Sequence, residues 1–282
     1  MSISVTRIAV VQMEPTLGDV AGNLGKIKER LDEAADAGAN LIVFPECALT
    51  GYCFSSREEA AEFAEPTSGE NLAALAAACA TRQSHAVVGF LERDGDRVYN
   101  ACALIGPGGL IGTYRKVHLP YVGVDRFLDP GERPFAVQDA GGLRIGMHIC
   151  YDGAFPEPGR VMSLLGADLL VLPTNWSEGM ESGAEHLIAT RAFENTVYAL
   201  AANRIGEERG YRFIGRSSIA DPTGKVLAFG SPDREEILYA EIDPATARRK
   251  HLVRRPGEHE VNRIADRRPR FYDRLVQPNG RV

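Results

Sequence analysis

The sequence is poor in everything that would staple a chain covalently or hold it in a membrane. It has only five cysteines among 282 residues, Cys47, Cys53, Cys79, Cys102 and Cys150; the number is odd and no CxxC pair occurs. That argues against a disulfide framework and against a zinc site, so no metal or other cofactor is expected. A reducing, cytoplasmic setting fits such cysteine usage. No run of about 18 uncharged apolar residues is present, so no membrane-spanning helix is expected. The opening MSISVTRIAVVQM lacks a basic lead followed by a long apolar stretch, so no signal peptide is expected. Excess positive charge is missing too: the formal net charge is -6, which argues against nucleic acid as the main partner, because phosphate contacts need a basic surface. The arginine-dense stretch around Arg267, Arg268 and Arg270 is the local exception and reads as a solvated tail or a subunit contact. Internal repeats, low-complexity linkers and composition breaks are also absent. One domain over residues 1–282 is therefore expected, with 255–282 as a polar C-terminal tail.

What is present alternates between strand and helix signals. Arg7–Gln12 reads as a buried strand. Leu24, Ile27, Leu31, Ala34 and Ala35 then share a helical face, with Gly38 suited to the position after the helix. Leu41–Phe44 is a strand ended by Pro45, and Leu72–Thr81 is an alanine-rich helix. His85–Glu92 and Val98–Ile105 form a strand pair turned at Asp94-Gly95, and Gly108-Gly109 leads into Leu110–Arg115. Arg144–Ile149 is a strand that runs into Cys150. Pro156–Leu165 is a helix and Asp168–Leu172 a strand. Ala184–Thr196 is a helix with Leu187, Ile188, Ala192 and Phe193 on one face. Val197–Asn203, Arg212–Ile219, Val226–Ala228 and Ile237–Ile242 are strand candidates, and Ala245–Val253 a last helix. This mixture of βα units and hairpins suggests two mixed sheets packed together with helices outside, an α/β protein.

Three segments share a form, an apolar strand followed by a reactive side chain: LIVFPE with Glu46, GTYRKVHLP with Lys116 and RIGMHICYDGAFPE with Cys150. Strand ends are where α/β folds gather catalytic groups. The chemistry would need all three. A free thiol has a pKa of about 8.5, so it needs a base to become a competent nucleophile. An ordinary Glu is roughly 4 units too acidic for that task, and burial can raise a carboxyl by about 3–5 units. Lys116 and the backbone N–H of Tyr151 are the candidate donors to an oxyanion. Glu46 would return its proton to the leaving amine and then activate water. Singly, each has a plainer reading: a buried apolar Cys, a capping Glu, a solvated Lys.

FPECALTGY, YRKVHLP and HICYDGAFPE resemble the three signature segments of the carbon–nitrogen hydrolase, or nitrilase, superfamily. LLVLPTNWSEG, RAFENTVYALAANRIG, GRSSIADPTGKVLA and EEILYAEID extend the resemblance over nearly the whole chain. The resemblance implies a four-layer αββα sandwich, a homodimer or higher homo-oligomer, a Glu46-Lys116-Cys150 triad and no metal. Many members carry a second glutamate after the lysine. Here Asp125 stands roughly at its place, with a loop salt bridge to Arg126 as its plainer role, and Glu132 follows Pro130-Gly131; Asp125 is the favoured substitute.

Other residues are expected around the pocket. Tyr52 would close a wall beside Glu46, and Asn175 and Trp176 would contact the acyl group, although Trp176, the only tryptophan, would serve equally as core. His148 lies on a strand two residues before Cys150 and reads as structural, as does His118. Glu157 is expected to brace the loop after Cys150 through Arg160. Tyr151-Asp152-Gly153 resembles amidase members more than N-carbamoyl amino-acid hydrolases, which place arginines there, or true nitrilases. A small carboxamide is the favoured substrate. N-carbamoyl compounds, nitriles, a glutaminase role and a non-catalytic binding role are the alternatives.

Overall fold

The computed structural model describes residues 5–277. Two six-stranded mixed sheets carry the fold. The first has the order β14 (Glu236–Ile242), β1 (Thr6–Gln12), β2 (Leu41–Val43), β3 (His85–Asp94), β4 (Arg97–Gly106), β5 (Gly109–Arg115). The second has the order β13 (Val226–Phe229), β12 (Ser218–Ala220), β9 (Tyr198–Asn203), β8 (Leu169–Thr174), β7 (Leu143–Met147), β6 (Val137–Ala140). Read from β14 and from β6, both sheets show the same run of pairings: antiparallel, parallel, parallel, antiparallel, antiparallel. No repeat of amino-acid sequence accompanies this repeat of pairings.

Parallel neighbours need crossovers, which helices supply. Helix α1 (Val20–Asp36) joins β1 to β2, and α2 (Arg57–Glu62) and α3 (Glu70–Arg82) lie between β2 and β3. In the second half α4 (Pro156–Leu164) and α5 (Glu181–Asn195) do the same for β7, β8 and β9. The Asp19 carboxylate caps α1 through Gly22 N–H, and α1 ends before Gly38 at φ 86°.

The period-two alternation of the strands separates three apolar layers. Ile8, Val10, Val43 and Val87 of the first sheet face Ile145, Val171 and Leu200 of the second in one cluster. The intervening Ala9, Val11, Ile42 and Val88 pack instead against Ile27 and Leu31 of α1 and Leu75 and Cys79 of α3. On the far side Leu170, Leu172 and Ala199 pack against Met162 of α4 and Ile188 and Ala192 of α5. The result is the four-layer αββα arrangement. Each fully buried Leu, Ile or Val contributes about 1.5–3 kcal/mol of transfer free energy.

Several sequence expectations need correction. The segment Arg212–Ile219 is not one strand. Tyr211–Ile214 (β11) pairs with Ile205–Glu208 (β10) in a separate hairpin, and Gly215 and Arg216, both at φ 57°, break the chain before β12. Ala245–Val253 is not one helix either: α6 covers only Pro244–Arg248, and β15 (Leu252–Arg255) pairs with β16 (His259–Val261). That hairpin gives the expected tail regular structure, and residues 278–282 of it lie outside the described range. Asp94 pairs with Arg97, so the β3–β4 turn is Gly95-Asp96, one residue later than expected. Phe193 leaves the buried face of α5; it is 45% exposed and lies under Arg263 at 3.9 Å. Arg267 and Arg270 stack on Tyr272 and Phe271. All five cysteines are free.

Candidate active site

Glu46 sits on the turn that leaves β2. Cys47 takes a left-handed φ of 49°, and the turn lies directly on Gly89 of β3. A Cβ at Gly89 would collide with the Pro45 carbonyl oxygen and come within 2.5 Å of the Cys47 nitrogen. Only a glycine lets the turn approach so closely. Lys116 follows β5 and is held through its own backbone, which donates to Asn100 O at 2.8 Å and accepts from Gly131 N at 2.7 Å. Asp125 lies on the 3₁₀ turn Gly123–Arg126.

These elements bring three charges together in the interior. Lys116 Nζ donates to Glu46 Oε1 at 2.7 Å and to Asp125 Oδ2 at 2.5 Å, with no exposure of any of the three side chains. Asn100 Nδ2 spans the two carboxylates at 2.7 and 2.8 Å. The Tyr52 hydroxyl donates to Asp125 Oδ2 at 2.8 Å. Two carboxylates against one ammonium leave one excess negative charge out of water. Burial raises the Glu46 carboxyl, Lys116 opposes it, Asp125 adds to it, and the net displacement is upward. Burial alone would lower Lys116, but Asp125 and Glu46 outweigh it and hold the ammonium well above its ordinary value. Glu46 Oε2 has no hydrogen-bond partner in the protein.

Cys150 stands on the second sheet, where β7 gives way to the 3₁₀ turn Cys150–Ala154. Its φ of 45° is left-handed, a conformation that costs a non-glycine residue about 1–3 kcal/mol and that the surroundings must impose. Asp152 imposes it. Its carboxylate accepts from Ile149 N and His118 N, both at 3.0 Å, and from the Tyr114 hydroxyl at 2.8 Å, and contacts His118 Nδ1 at 2.7 Å. Tyr114 belongs to β5, so Asp152 ties the turn of one sheet to the edge of the other. Burial would raise the Asp152 carboxyl, but these donors outweigh it and keep it below its ordinary value. Burial first, and then the field of Glu46, push the Cys150 thiol up to about 12; Lys116 and the Asn175 N–H pull it down. The Thr174 hydroxyl acts in the same direction, although it makes no well-formed hydrogen bond. The resting group is therefore a neutral thiol beside a carboxyl whose proton affinity has been raised.

Cys150 lines a cavity of about 220 Å³ together with Tyr52, Tyr151, Asn175 and Trp176. Glu46, Lys116 and Asp125 lie beneath the cavity surface and are not among its lining residues. Asn175 is 6% exposed, and neither its Nδ2 nor its Oδ1 has a partner. Trp176 does double duty, lining the cavity and packing in the α5 cluster, with its backbone held by Asn203 at 2.8 Å. Tyr151 is 42% exposed; its N–H lies in the first turn of the 3₁₀ segment, where N–H groups have no acceptor within the turn.

The two candidates for the second acid separate cleanly in space. Asp125 contacts Lys116, whereas Glu132 is 70% exposed and pairs with Arg97 at 3.1 Å. Arg126 donates to Gly123 O rather than to Asp125. His148 contacts Val171 O at 3.1 Å, and burial lowers it to about 4. His118 stacks on Phe155 at 4.1 Å. The expected Glu157–Arg160 brace is corrected: Glu157 is exposed and Arg160 donates to Glu194 O. Arg191 braces the loop instead, through Gly153 O at 3.1 Å and Ala154 O at 3.2 Å.

Sequence reasoning missed Asn100, Gly89, and the buried pair Arg204–Glu208 at 2.6 Å. Glu208 Oε2 accepts from Tyr52 N and Cys53 N at 2.8 and 2.6 Å, which fixes the β10–β11 hairpin against the Tyr52 wall. The signal for Asn100 was a lone amide inside the apolar run VYNACALI. Among the described residues no group of three or more His, Cys, Asp or Glu side chains is arranged to hold a metal ion, and no helix is long and apolar enough to cross a membrane.

A family model described as carbon-nitrogen hydrolase matches residues 7–251. The chain is 40% identical over 270 residues to a nitrilase from Pyrococcus abyssi, covering 95% of this chain and 99% of the relative. It is 33% identical over 247 residues to an (R)-stereoselective amidase from a Pseudomonas species, covering 86% and 88%. Among solved structures, an amidase variant from Nesterenkonia sp. AN1 superposes with a TM-score of 0.80 at 24% identity over 98% of both chains. That structure carries the acetamide moiety of fluoroacetamide added covalently at its active-site cysteine.

Proposed function

The chain belongs to the carbon–nitrogen hydrolase family, and from that premise we propose that it is an amidase, converting a small carboxamide and water to a carboxylate and ammonia through a Cys150 thioester. The observation that carries the reading is the buried Glu46–Lys116–Asp125 group, whose Glu46 and Lys116 act on a thiol that lines an uncharged cavity.

The steps we propose run as follows. Glu46 Oε2, the carboxylate oxygen without a partner, takes the Cys150 proton as sulfur bonds to the amide carbon. The carbonyl electron pair moves to oxygen, where the Lys116 ammonium and the Tyr151 N–H offset the new charge; a donor so placed is worth about 10²–10³ in rate. Collapse breaks the C–N bond, and the departing nitrogen takes the proton from Glu46. Water then adds to the thioester and gives a proton to Glu46. The C–S bond breaks, that proton returns to sulfur, and the product leaves as the carboxylic acid, which gives up its proton to water or to the released ammonia. Burial raises the Glu46 carboxyl, which makes it a stronger base and works against the parallel rise of the thiol. Asp125 fixes Lys116, and Asn175 supplies unpaired donor and acceptor atoms for the amide group.

The test is ammonia release from a panel of carboxamides, N-carbamoyl amino acids and nitriles, with Cys150→Ala as control. Release from simple carboxamides, lost in Cys150→Ala together with a mass adduct of the acyl group on the protein, supports the reading. Hydrolysis of nitriles alone, the activity for which the Pyrococcus abyssi relative is named, or activity retained in Cys150→Ala, would sink it.

A further inference from the structure

The inference rests on the amidase reading and names its substrate class. The residues lining the Cys150 cavity include no charged side chain. Its walls are Tyr52, Val122, Trp176, Met180, Leu187 and Phe213. Four cations of neighbouring segments have carboxylate partners of their own. Lys116 is held by Glu46 and Asp125, and Arg204 by Glu208. Arg209 pairs with Glu59, and Arg212 reaches Glu178 at 3.8 Å. The only unpaired buried polar side chain among the lining residues is Asn175, a neutral amide. The charged groups that act on Cys150 are Glu46 and the Lys116 ammonium already paired with it.

We infer that the site selects uncharged amides whose acyl group is apolar, and rejects amides that carry a carboxylate, such as ω-amides of dicarboxylic acids and N-carbamoyl amino acids. A carboxylate drawn into the acyl part of this cavity would lose its water and find no charged partner among the lining residues. The size also fits a compact acyl group. An apolar cavity of about 150 Å³ takes a benzene molecule, so about 220 Å³ holds a group of that size with the carboxamide attached. Phe213 and the exposed Tyr211 come from the β10–β11 hairpin, which Glu208 pins to the opposite wall through Tyr52 and Cys53. The hairpin thus sets the width of the acyl pocket.

Two near-isosteric probes test this: 4-methylpentanamide and succinamate, which differ in an isopropyl group against a carboxylate. The wild-type protein is expected to favour 4-methylpentanamide by at least about 100-fold in kcat/KM, a conservative measure of the desolvation of one unpaired ion. Met180, which is 38% exposed at the start of α5 and lines the cavity, accepts a longer side chain without disturbing the core. Met180→Arg is expected to narrow the ratio about tenfold or more by supplying the missing cation. Parity between the probes, or preference for succinamate, with both activities lost in Cys150→Ala, overturns the specificity and leaves the amidase reading standing. An unchanged ratio in a folded Met180→Arg overturns the missing cation as its cause. Ammonia from neither probe nor any other amide overturns the amidase reading itself.

Discussion

Replacing Asp125 by Asn removes one of the two negative charges buried against Lys116 and keeps the side chain's size. In the protein Asp125 Oδ2 accepts from Lys116 and Tyr52, and Oδ1 accepts from Asn100. An Asn that keeps its oxygen toward Lys116 and Tyr52 turns its NH₂ toward the NH₂ of Asn100, so two donors face each other. Breaking a buried ion pair costs about 3–5 kcal/mol. Lys116 keeps Glu46 at 2.7 Å, which places the loss near the lower end, at about 3 kcal/mol. For a chain of this length that lowers Tm by about 6 °C. The catalytic effect has a definite sign. Asp125 pushes the Glu46 carboxyl up, so removing its charge makes Glu46 a stronger acid and a weaker base. The acid limb of the kcat profile, where rate is lost as Glu46 is protonated, should move to lower pH. The plateau should fall about 10²-fold, the low end of what a positioned base contributes. Thermal unfolding and a pH–rate profile on the same preparation check both halves. An acid limb that stays in place or moves to higher pH would refute the claim that Asp125 tunes Glu46, even if Tm fell as stated.

Gly89→Ala should lower Tm by about 2–6 °C through about 1–3 kcal/mol of strain and reduce kcat more than it raises KM, because the added Cβ displaces the Glu46 turn; an unchanged kcat would show that the turn's place is not needed. The thiol displaced to about 12 predicts no thiolate band near 240 nm at pH 7 in the difference between wild type and Cys150→Ala; a clear band would mean that Lys116 outweighs Glu46 at the sulfur. Asp168 is raised by burial but held below its ordinary 3.8 by hydrogen bonds from Arg248, the Arg144 N–H and the Arg144 side chain. Its contribution is thus present above pH 3.8 and lost as pH falls toward the lower folded value. Asp168→Asn should lower Tm by about 2–4 °C at pH 7, from about 1–2 kcal/mol for its two pairings with partly exposed arginines, and the gap should narrow progressively as pH falls below 3.8. A gap that stays the same size from pH 7 to pH 3 would assign the loss to packing.

Much of the αββα layout was legible because strands and helices write their burial into a period of 2 or 3.6 residues. Thr6–Gln12, Leu41–Val43 and Val20–Asp36 lie where the pattern puts them. The pattern failed where local backbone geometry overrode it. Positive φ at Gly215 and Arg216 split one apparent strand into two, and the apolar stretch at Val253 pairs as a strand instead of closing a helix. The hairpin Ile205–Ile214 that walls the cavity was read over because its strands are only four residues each, too short to show a period.

By itself the sequence determined that Glu46, Lys116 and Cys150 each follow an apolar strand, because strand ends are marked locally by the change from apolar to polar residues. It also offered Asp125 and Glu132 as two answers to one question, with Asp125 favoured from its place after the lysine. Only the tertiary structure placed the two, since the relevant quantity is distance in space: Asp125 is buried against Lys116, and Glu132 pairs with Arg97 at the surface. It alone revealed Asn100 spanning both carboxylates, Asp152 tying the Cys150 turn to β5, and Gly89 seating the Glu46 turn. These residues act through contacts between segments far apart in the chain, and contacts of that range leave no periodic mark in any one segment.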